Sequence, residues 1–297
     1  MQRTKIRERS LSDRIFGTVV LMLSILIFII IAYPLWFVVI ASISNSNLVN
    51  LGAVTFWPKD IRFYGYEMIM KDTQIWTGYL NTVIYTAAGT ALNMAVTMPA
   101  AYALSRPDFR QRDRIMLYFV FTMFFSGGMV PLYMTVSSLG LTNTRAILII
   151  IGALNVYNLI IARTFIQSSI PNDLYEAASL DGCSHIRYFI SVVLPLSKAV
   201  ISVLTLYYAV IHWNDFFNAL LFNSKEAYAP LQIVLRRILL LNEAFSGGSG
   251  AEGGYVQSSA DQIKFAVIIV STVPILCVYP FIQKYFEKGV MIGAVKG

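Results

Sequence analysis

The segment Ile170-Pro171-Asn172-Asp173-Leu174-Tyr175-Glu176-Ala177-Ala178-Ser179-Leu180-Asp181-Gly182-Cys183-Ser184, running on to Leu194-Pro195-Leu196, is a polar, turn-rich island between long apolar stretches. Pro171 suits the first turn of a short helix, and the acidic residues just after it suit the positive end of the helix dipole. Gly182 can end that helix in a left-handed conformation. Ser184 can cap a second helix, which Pro195 then interrupts or bounds. Ala177 and Ala178 keep the first helix thin, so another protein's backbone can approach it, and Glu176 offers one charge to a basic partner. These residues describe an elbow suited to docking rather than catalysis. An amphipathic loop resting on lipid headgroups is the plainer alternative.

Outward from the elbow the chain is strongly apolar. Of 297 residues, 57% are hydrophobic and 13% charged, and the mean hydropathy of +0.63 belongs in a bilayer. No Asp, Glu, Lys or Arg occurs in 15–58, 73–105 or 115–144, and shorter clean runs cover 146–162, 199–214 and 265–283. A spanning helix needs about 20 mainly apolar residues. The sequence therefore predicts an all-α membrane protein with six transmembrane helices, over 15–42, 78–104, 115–137, 144–166, 199–222 and 262–283. The first run is too long for the core of a cleaved signal peptide. The expected organisation is a basic arm 1–14, a six-span domain 15–283 and a tail 284–297. Cys183 and Cys277 give no disulfide framework and read as small apolar fillers.

Six spans put both termini and the loops 105–114 and 167–198 on one side. That side collects fifteen of the 23 basic residues, including Arg3, Lys5, Arg7, Arg9 and Arg14 in the arm and Arg106, Arg110, Arg112 and Arg114 in the second loop. By the positive-inside rule this is the cytoplasmic face of the membrane. Basic residues beside anionic lipid account for the net charge of +7, so no nucleic-acid partner is called for. The opposite face carries loop 43–77, aromatic through Trp57, Tyr64, Tyr66 and Trp76, and loop 223–261, Gly-rich over 247–250. The second loop is either a flexible connector or a contact for an external partner.

The spacing Glu176-Ala177-Ala178, three residues, Gly182, nine residues, an apolar position, one residue, Leu194-Pro195 resembles the signature of permease subunits of binding-protein-dependent ABC importers. Val192 stands where the signature has Ile, and Cys183 where relatives often have Ala. Ser105-Arg106, Trp213-Asn214-Asp215-Phe216-Phe217 and the ending Lys288 to Gly297 look like the carbohydrate-uptake, MalG-like group, the tail being closest to its LplC-like subgroup. The resemblance implies a type I importer, MetI-like permease fold with a cytoplasmic coupling-helix loop. It also implies a heterodimer with a second permease, a cytosolic ATPase dimer holding ATP and Mg, and an external sugar-binding protein. In that frame Glu176, Ala177, Ala178, Asp181, Gly182, Leu194 and Pro195 couple to the ATPase, with Glu176 facing one of its arginines. Gly289, Gly293 and Gly297 then let the tail reach between the ATPases, unless it is simply a disordered terminus.

Asp215 is the one acid expected inside a span, flanked by His212, Trp213, Asn214 and Asn218. The group suits either sugar recognition or a helix–helix hydrogen-bond cluster. Gly127-Gly128-Met129-Val130-Pro131 reads as a gating hinge or a static kink, and Asn81 as a cap or interhelical bond. A membrane enzyme would need clustered catalytic groups, yet the chain has two histidines, no His-Glu-x-x-His, no Gly-x-Ser-x-Gly and no phosphate-binding Gly-Lys loop. No catalytic or metal-ligating residue is expected, and no cofactor bound by this chain. A secondary transporter would more often show internal repeats and discontinuous helices.

Overall fold

The computed structural model describes residues 11–246 and 262–277, and every regular element among them is helical. These residues fall into two compact units, one within Met1–Lys71 and Leu239–Ser271, the other within Asp72–Ile238 and Thr272–Gly297. The Gly-rich run 247–250 and the tail glycines 289, 293 and 297 lie outside the described residues.

In the first unit α1 (Leu11–Ile43) is long and apolar enough from Ile15 onward to cross a membrane, and none of its apolar window is buried. Side chains such as Phe28 stand in the open, as a helix facing lipid requires. The expected loop 43–77 is folded rather than loose, with α2 (Ser46–Asn50) and α3 (Tyr64–Lys71) inside it. Ser44 Oγ accepts from Lys59 N at 3.2 Å, Asn45 N donates to Lys59 O at 3.1 Å, and Arg62 N to Ile43 O at 2.9 Å. Trp36 Nε1 donates to Phe56 O at 2.9 Å, and its ring meets Trp57 edge-on. The amide of Asn45 and the guanidinium of Arg62 hold the Asp60 carboxyl below its ordinary range.

In the second unit α4 (Thr73–Ser105) is the central rod. It starts five residues before the expected span because Asp72 accepts from Gln74 N at 2.8 Å and caps it. Its buried positions Gly78, Thr82, Tyr85, Gly89, Asn93, Thr97, Ala101 and Ser105 recur at three- and four-residue steps, a single stripe of mostly small or polar side chains. Such a helix belongs against protein rather than lipid. Its composition keeps it outside the class of helices apolar enough to span, of which α1 is the one unbroken example among the described residues.

Against α4 pack α5 (Arg112–Phe124), α7 (Arg145–Ile150), α8 (Val156–Ser169) and α12 (Lys198–Trp213). The chain also forms α6 (Met129–Ser138), α9 (Asn172–Leu180), α10 (His185–Tyr188), α11 (Leu194–Leu196), α13 (Phe217–Phe222) and α14 (Leu231–Ser246). Three expected continuous spans are therefore broken. The third divides at Phe125–Gly128 and turns by 112°, with Gly128 at φ 86°. The fourth breaks between Ile150 and Val156 around Gly152 at φ 72°, and the fifth at 214–216. Counting each strongly bent pair as one crossing gives up to three qualifying spans among the described residues, with Gln262–Cys277 a shorter apolar helix. The expected loop 223–261 also contains helix: Leu231, Val234 and Leu235, spaced three and four apart, bury the inner face of α14.

Candidate functional site

The elbow forms where its chemistry predicts. Pro171, extended at φ −60° and ψ 144°, precedes α9 without a side-chain cap. Gly182 closes α9 at φ 74°, and Cys183 N donates back to Ala178 O at 2.9 Å. Ser184 Oγ then caps α10 by accepting from Arg187 N. A π turn, Phe189–Val193, follows, with Leu194 N donating to Phe189 O. Pro195 gives the reason: it has no N–H, and its ring conflicts with the carbonyl four residues back, so the wider turn accommodates it. After Leu196 the chain swings by 82° into α12. Glu176, Ala177, Asp181 and Gly182 are exposed and Ala178 is half-buried. Asn172 Nδ2 donates to Glu176 Oε1 at 3.2 Å. Beside them Leu180 and Ile186 are 90% and 74% exposed, bare apolar groups at the tip.

An aromatic brace, absent from the sequence reading, fixes this tip to α4. The guanidinium of Arg106 lies 3.6 Å over the Tyr175 ring, whose hydroxyl shares a hydrogen bond with His185 Nε2 at 3.1 Å. Tyr188 is 1% exposed, meets Tyr175 edge-on at 5.2 Å and lies 6.3 Å from Tyr102. Burial pushes the Tyr188 phenol above its ordinary value, partly opposed by the Arg106 charge. Arg163 ties the neighbouring loop in, donating to Leu104 O at 2.9 Å and to Asp113 at 2.8 Å. Tyr175 sits 69 residues from Arg106, and no local spacing signals that pairing.

The second candidate group separates into distinct roles. His212 is buried, and its Nε2 lies 2.7 Å from Asn93 Oδ1. Asn93 Nδ2 donates to Gly152 O and Ala153 O, carbonyls freed by the break in the fourth span. Its amide oxygen is therefore the acceptor, and His212 must donate from Nε2. Tyr208 OH bonds Thr97 Oγ1 at 2.7 Å and accepts from Asn155 N at 3.3 Å. A buried polar belt thus joins α4, α12 and the break before α8, and a glycine at 89 leaves room for the His212 ring. Trp213 is buried beside Tyr79, while Asn214 is exposed and donates to Val210 O. Asp215 accepts from Asn218 N and Nδ2, both at 3.2 Å, at the start of α13. Asn81 donates to Ala227 O and Ala229 O near the other end of α4. Asn93 and Thr97, polar and one turn apart in a charge-free run, were the legible signal for this belt.

The model of a protein family described as binding-protein-dependent transport system inner membrane component matches residues 6–292. The chain is 37% identical over 287 residues to the polygalacturonan/rhamnogalacturonan transport system permease protein YtcP of Bacillus subtilis (strain 168), covering 97% of this chain and all of that one. Identity to protein LplC of the same organism is 38% over 267 residues, 89% of each chain. A chain in the crystal structure of a bacterial ABC transporter involved in the import of the acidic polysaccharide alginate matches at a TM-score of 0.84 and 33% identity, over 93% of this chain and 98% of that one. Helix breaks do not distinguish a secondary transporter here, because this chain has them; the family match does. The chain belongs to the inner-membrane components of binding-protein-dependent transport systems, as a membrane-embedded permease subunit.

Proposed function

We propose that this permease imports a carbohydrate, forming half of a translocation pore that a cytosolic ATPase drives through the elbow. The carbohydrate class is supported by YtcP, named for polygalacturonan and rhamnogalacturonan transport, and by the alginate importer. The observation that carries the coupling role is the exposed Glu176 on a helix braced rigidly from behind by Tyr175, Tyr188 and Arg106. A push on such a tip passes into α4 and α12 as rigid-body movement instead of being absorbed locally.

The proposal includes six crossings, the third to fifth being broken helices, with both termini cytoplasmic. It also includes a second, different permease subunit, an ATPase dimer carrying ATP and Mg, and an external binding protein that delivers substrate. The organisation 1–14, 15–283 and 284–297, and the coupling role of the tail glycines, stand as parts of the same reading. The exposed Asn214 at the break in α12 is the member of 212–218 best placed to meet a substrate, with Asp215 and Asn218 holding the break open.

Glu176→Lys tests the coupling. Uptake is expected to fall to background with the protein still in the membrane and still paired with its partner permease, because breaking one side of an interface ion pair costs about 2–5 kcal/mol. Normal ATP-driven uptake by that variant would reject the role.

A further inference from the structure

Along α1 the burial changes abruptly. From Ile15 to Trp36 every residue but Ala32 is exposed, whereas Ile40 and Ala41 are sealed in a small core with Val49 and Val54. About 20 residues, rising roughly 1.5 Å each, cross a hydrocarbon core about 30 Å thick. Counted from Ile15, which follows Arg14 in the sequence, they put the far edge of that core near Leu35. A tilt of about 20° moves the edge by about one residue. Burial sets in at the same place, so the helix leaves lipid there and enters a protein cap.

From that cap the chain turns back. Gly52, at φ 68°, reverses it after α2, and Ala53 N donates to Leu48 O at 2.9 Å. The next residues are tied to the outer edge of the crossing. Tyr33 OH donates to Thr55 O at 3.4 Å, and Trp36 Nε1 to Phe56 O at 2.9 Å. The Phe56 ring lies 5.5 Å from that of Tyr33, and the Trp57 ring 6.4 Å from that of Trp36. These contacts carry the depth of Tyr33 and Trp36 over to the loop. Phe56 and Trp57 are nonetheless 63% and 74% exposed. Two residues further on the charges begin, at Lys59, Asp60 and Arg62, with Asp60 held by Asn45 at 2.7 Å and by Arg62 at 2.9 Å. The loop is thus apolar at the level of the helix edge and charged beyond it. Tyr and Trp favour the membrane–water boundary for the same reason, one end apolar and the other wet.

We propose that residues 55–57 form an interfacial foot, with Phe56 and Trp57 inserted at the headgroup boundary of the outer leaflet. The assignment of the leaflet rests on α1 crossing with its N-terminus cytoplasmic. The occupant of the exposed rings is lipid, and the backbone supports that choice: a carbonyl at this depth needs a partner from the protein. Thr55 O and Phe56 O have theirs in Tyr33 and Trp36, so the loop enters the boundary without leaving either bare. The foot pins the outer end of α1, as the basic residues before Ile15 pin the inner one, and the helix resists sliding along its axis.

The test uses the full-length chain in its assembled importer, in phosphatidylcholine nanodiscs and a single-cysteine background. A bimane label is placed at Phe56→Cys or Trp57→Cys, two exposed positions that check one another. Quenching is read with phosphatidylcholine spin-labelled near the headgroup, with the same lipid spin-labelled near the chain end, and with aqueous iodide. Both positions should be quenched most by the headgroup-proximal label, less by the chain-end label and little by iodide. Leu26→Cys, midway along the crossing, should respond most to the chain-end label. If Leu26 responds so while 56 and 57 are quenched chiefly by iodide, the foot is overturned and the crossing stands. If Leu26 too is quenched chiefly by iodide, the crossing falls with the foot. Protection of 56 and 57 from all three quenchers, relieved when the chain is purified alone, means that a protein covers the rings and also overturns the foot.

Discussion

Replacing Gly89 by Ala adds one methyl group at the most crowded point of the polar belt. An ideal Cβ there would lie 2.8 Å from His212 Cδ2 and closer still to Cε1 and Nε2. The obstacle is a buried ring, 6% exposed, so it has little room to retreat. Overpacking of this kind costs about 1–3 kcal/mol. If the ring tilts away, its 2.7 Å bond to Asn93 is lost as well, and interhelical hydrogen bonds in membranes contribute about 0.6 kcal/mol on average and up to about 1.7. The total is about 1.6–4.7 kcal/mol, with the steric share the larger. A double-mutant cycle isolates it. In a His212→Ala background the three atoms nearest that methyl are gone, so the two changes should couple by at least about 1 kcal/mol. The assay is equilibrium unfolding of the purified full-length chain in mixed micelles, titrated with sodium dodecyl sulfate. Gly89→Ala within about 0.5 kcal/mol of the parent, or strict additivity with His212→Ala, would refute the packing argument.

Three further outcomes follow from the same geometry. Asn81→Leu strips the donors from Ala227 O and Ala229 O and should destabilise the chain by about 1–3 kcal/mol in the same titration. Tyr175→Phe keeps the ring under Arg106 and should support near-parental uptake at matched expression. Tyr175→Leu forfeits a contact worth about 0.5–2 kcal/mol and should lower uptake without removing the protein from the membrane. The Asp60 carboxyl, held low chiefly by Asn45, stabilises the 43–62 turn above the unfolded carboxylate pKa, and that contribution is lost as pH falls through the lowered folded value. Hydrogen exchange at the backbone N–H groups of Asn45 and Arg62, corrected for intrinsic rate, should accelerate across that window in the parent and stay flat in Asp60→Asn.

What could be read from the chain was what neighbouring residues decide among themselves. Gly182, Ser184 and Pro195 act within four residues of their own position, so the elbow emerged with its turn, cap and interruption in place. The break around Gly152 lies in a run with no charge, and apolar composition is the same on either side of it. Its carbonyls are satisfied by Asn93, about 60 residues earlier in the chain, so nothing nearby advertises the interruption. Asp215 was visible as a buried-acid oddity, but its engagement with Asn218 required the break at 214–216 to be seen first. Helix α14 was passed over because Arg236 and Arg237 give a loop-like charge to a segment whose Leu231, Val234 and Leu235 already spell a helical face. The brace of Tyr102, Arg106, Tyr175 and Tyr188 joins residues that only the tertiary fold makes neighbours.

The polar stripe of α4 has a bearing on how the molecule is made. Thr82, Asn81, Asn93 and Thr97 find their partners at Leu231, Ala227 and Ala229, Gly152 and Ala153, and Tyr208. Every one of these is synthesised later than α4, by 59 to 149 residues. A ribosome that has finished α4 has therefore delivered a helix whose amides and hydroxyls have no counterpart yet in existence, in a medium that offers none. The nascent helix must be retained at the insertion machinery or shielded until the downstream segments arrive. A chain cut short before residue 152 should accordingly be recognised as an orphan and degraded, making α4 a built-in check on completion.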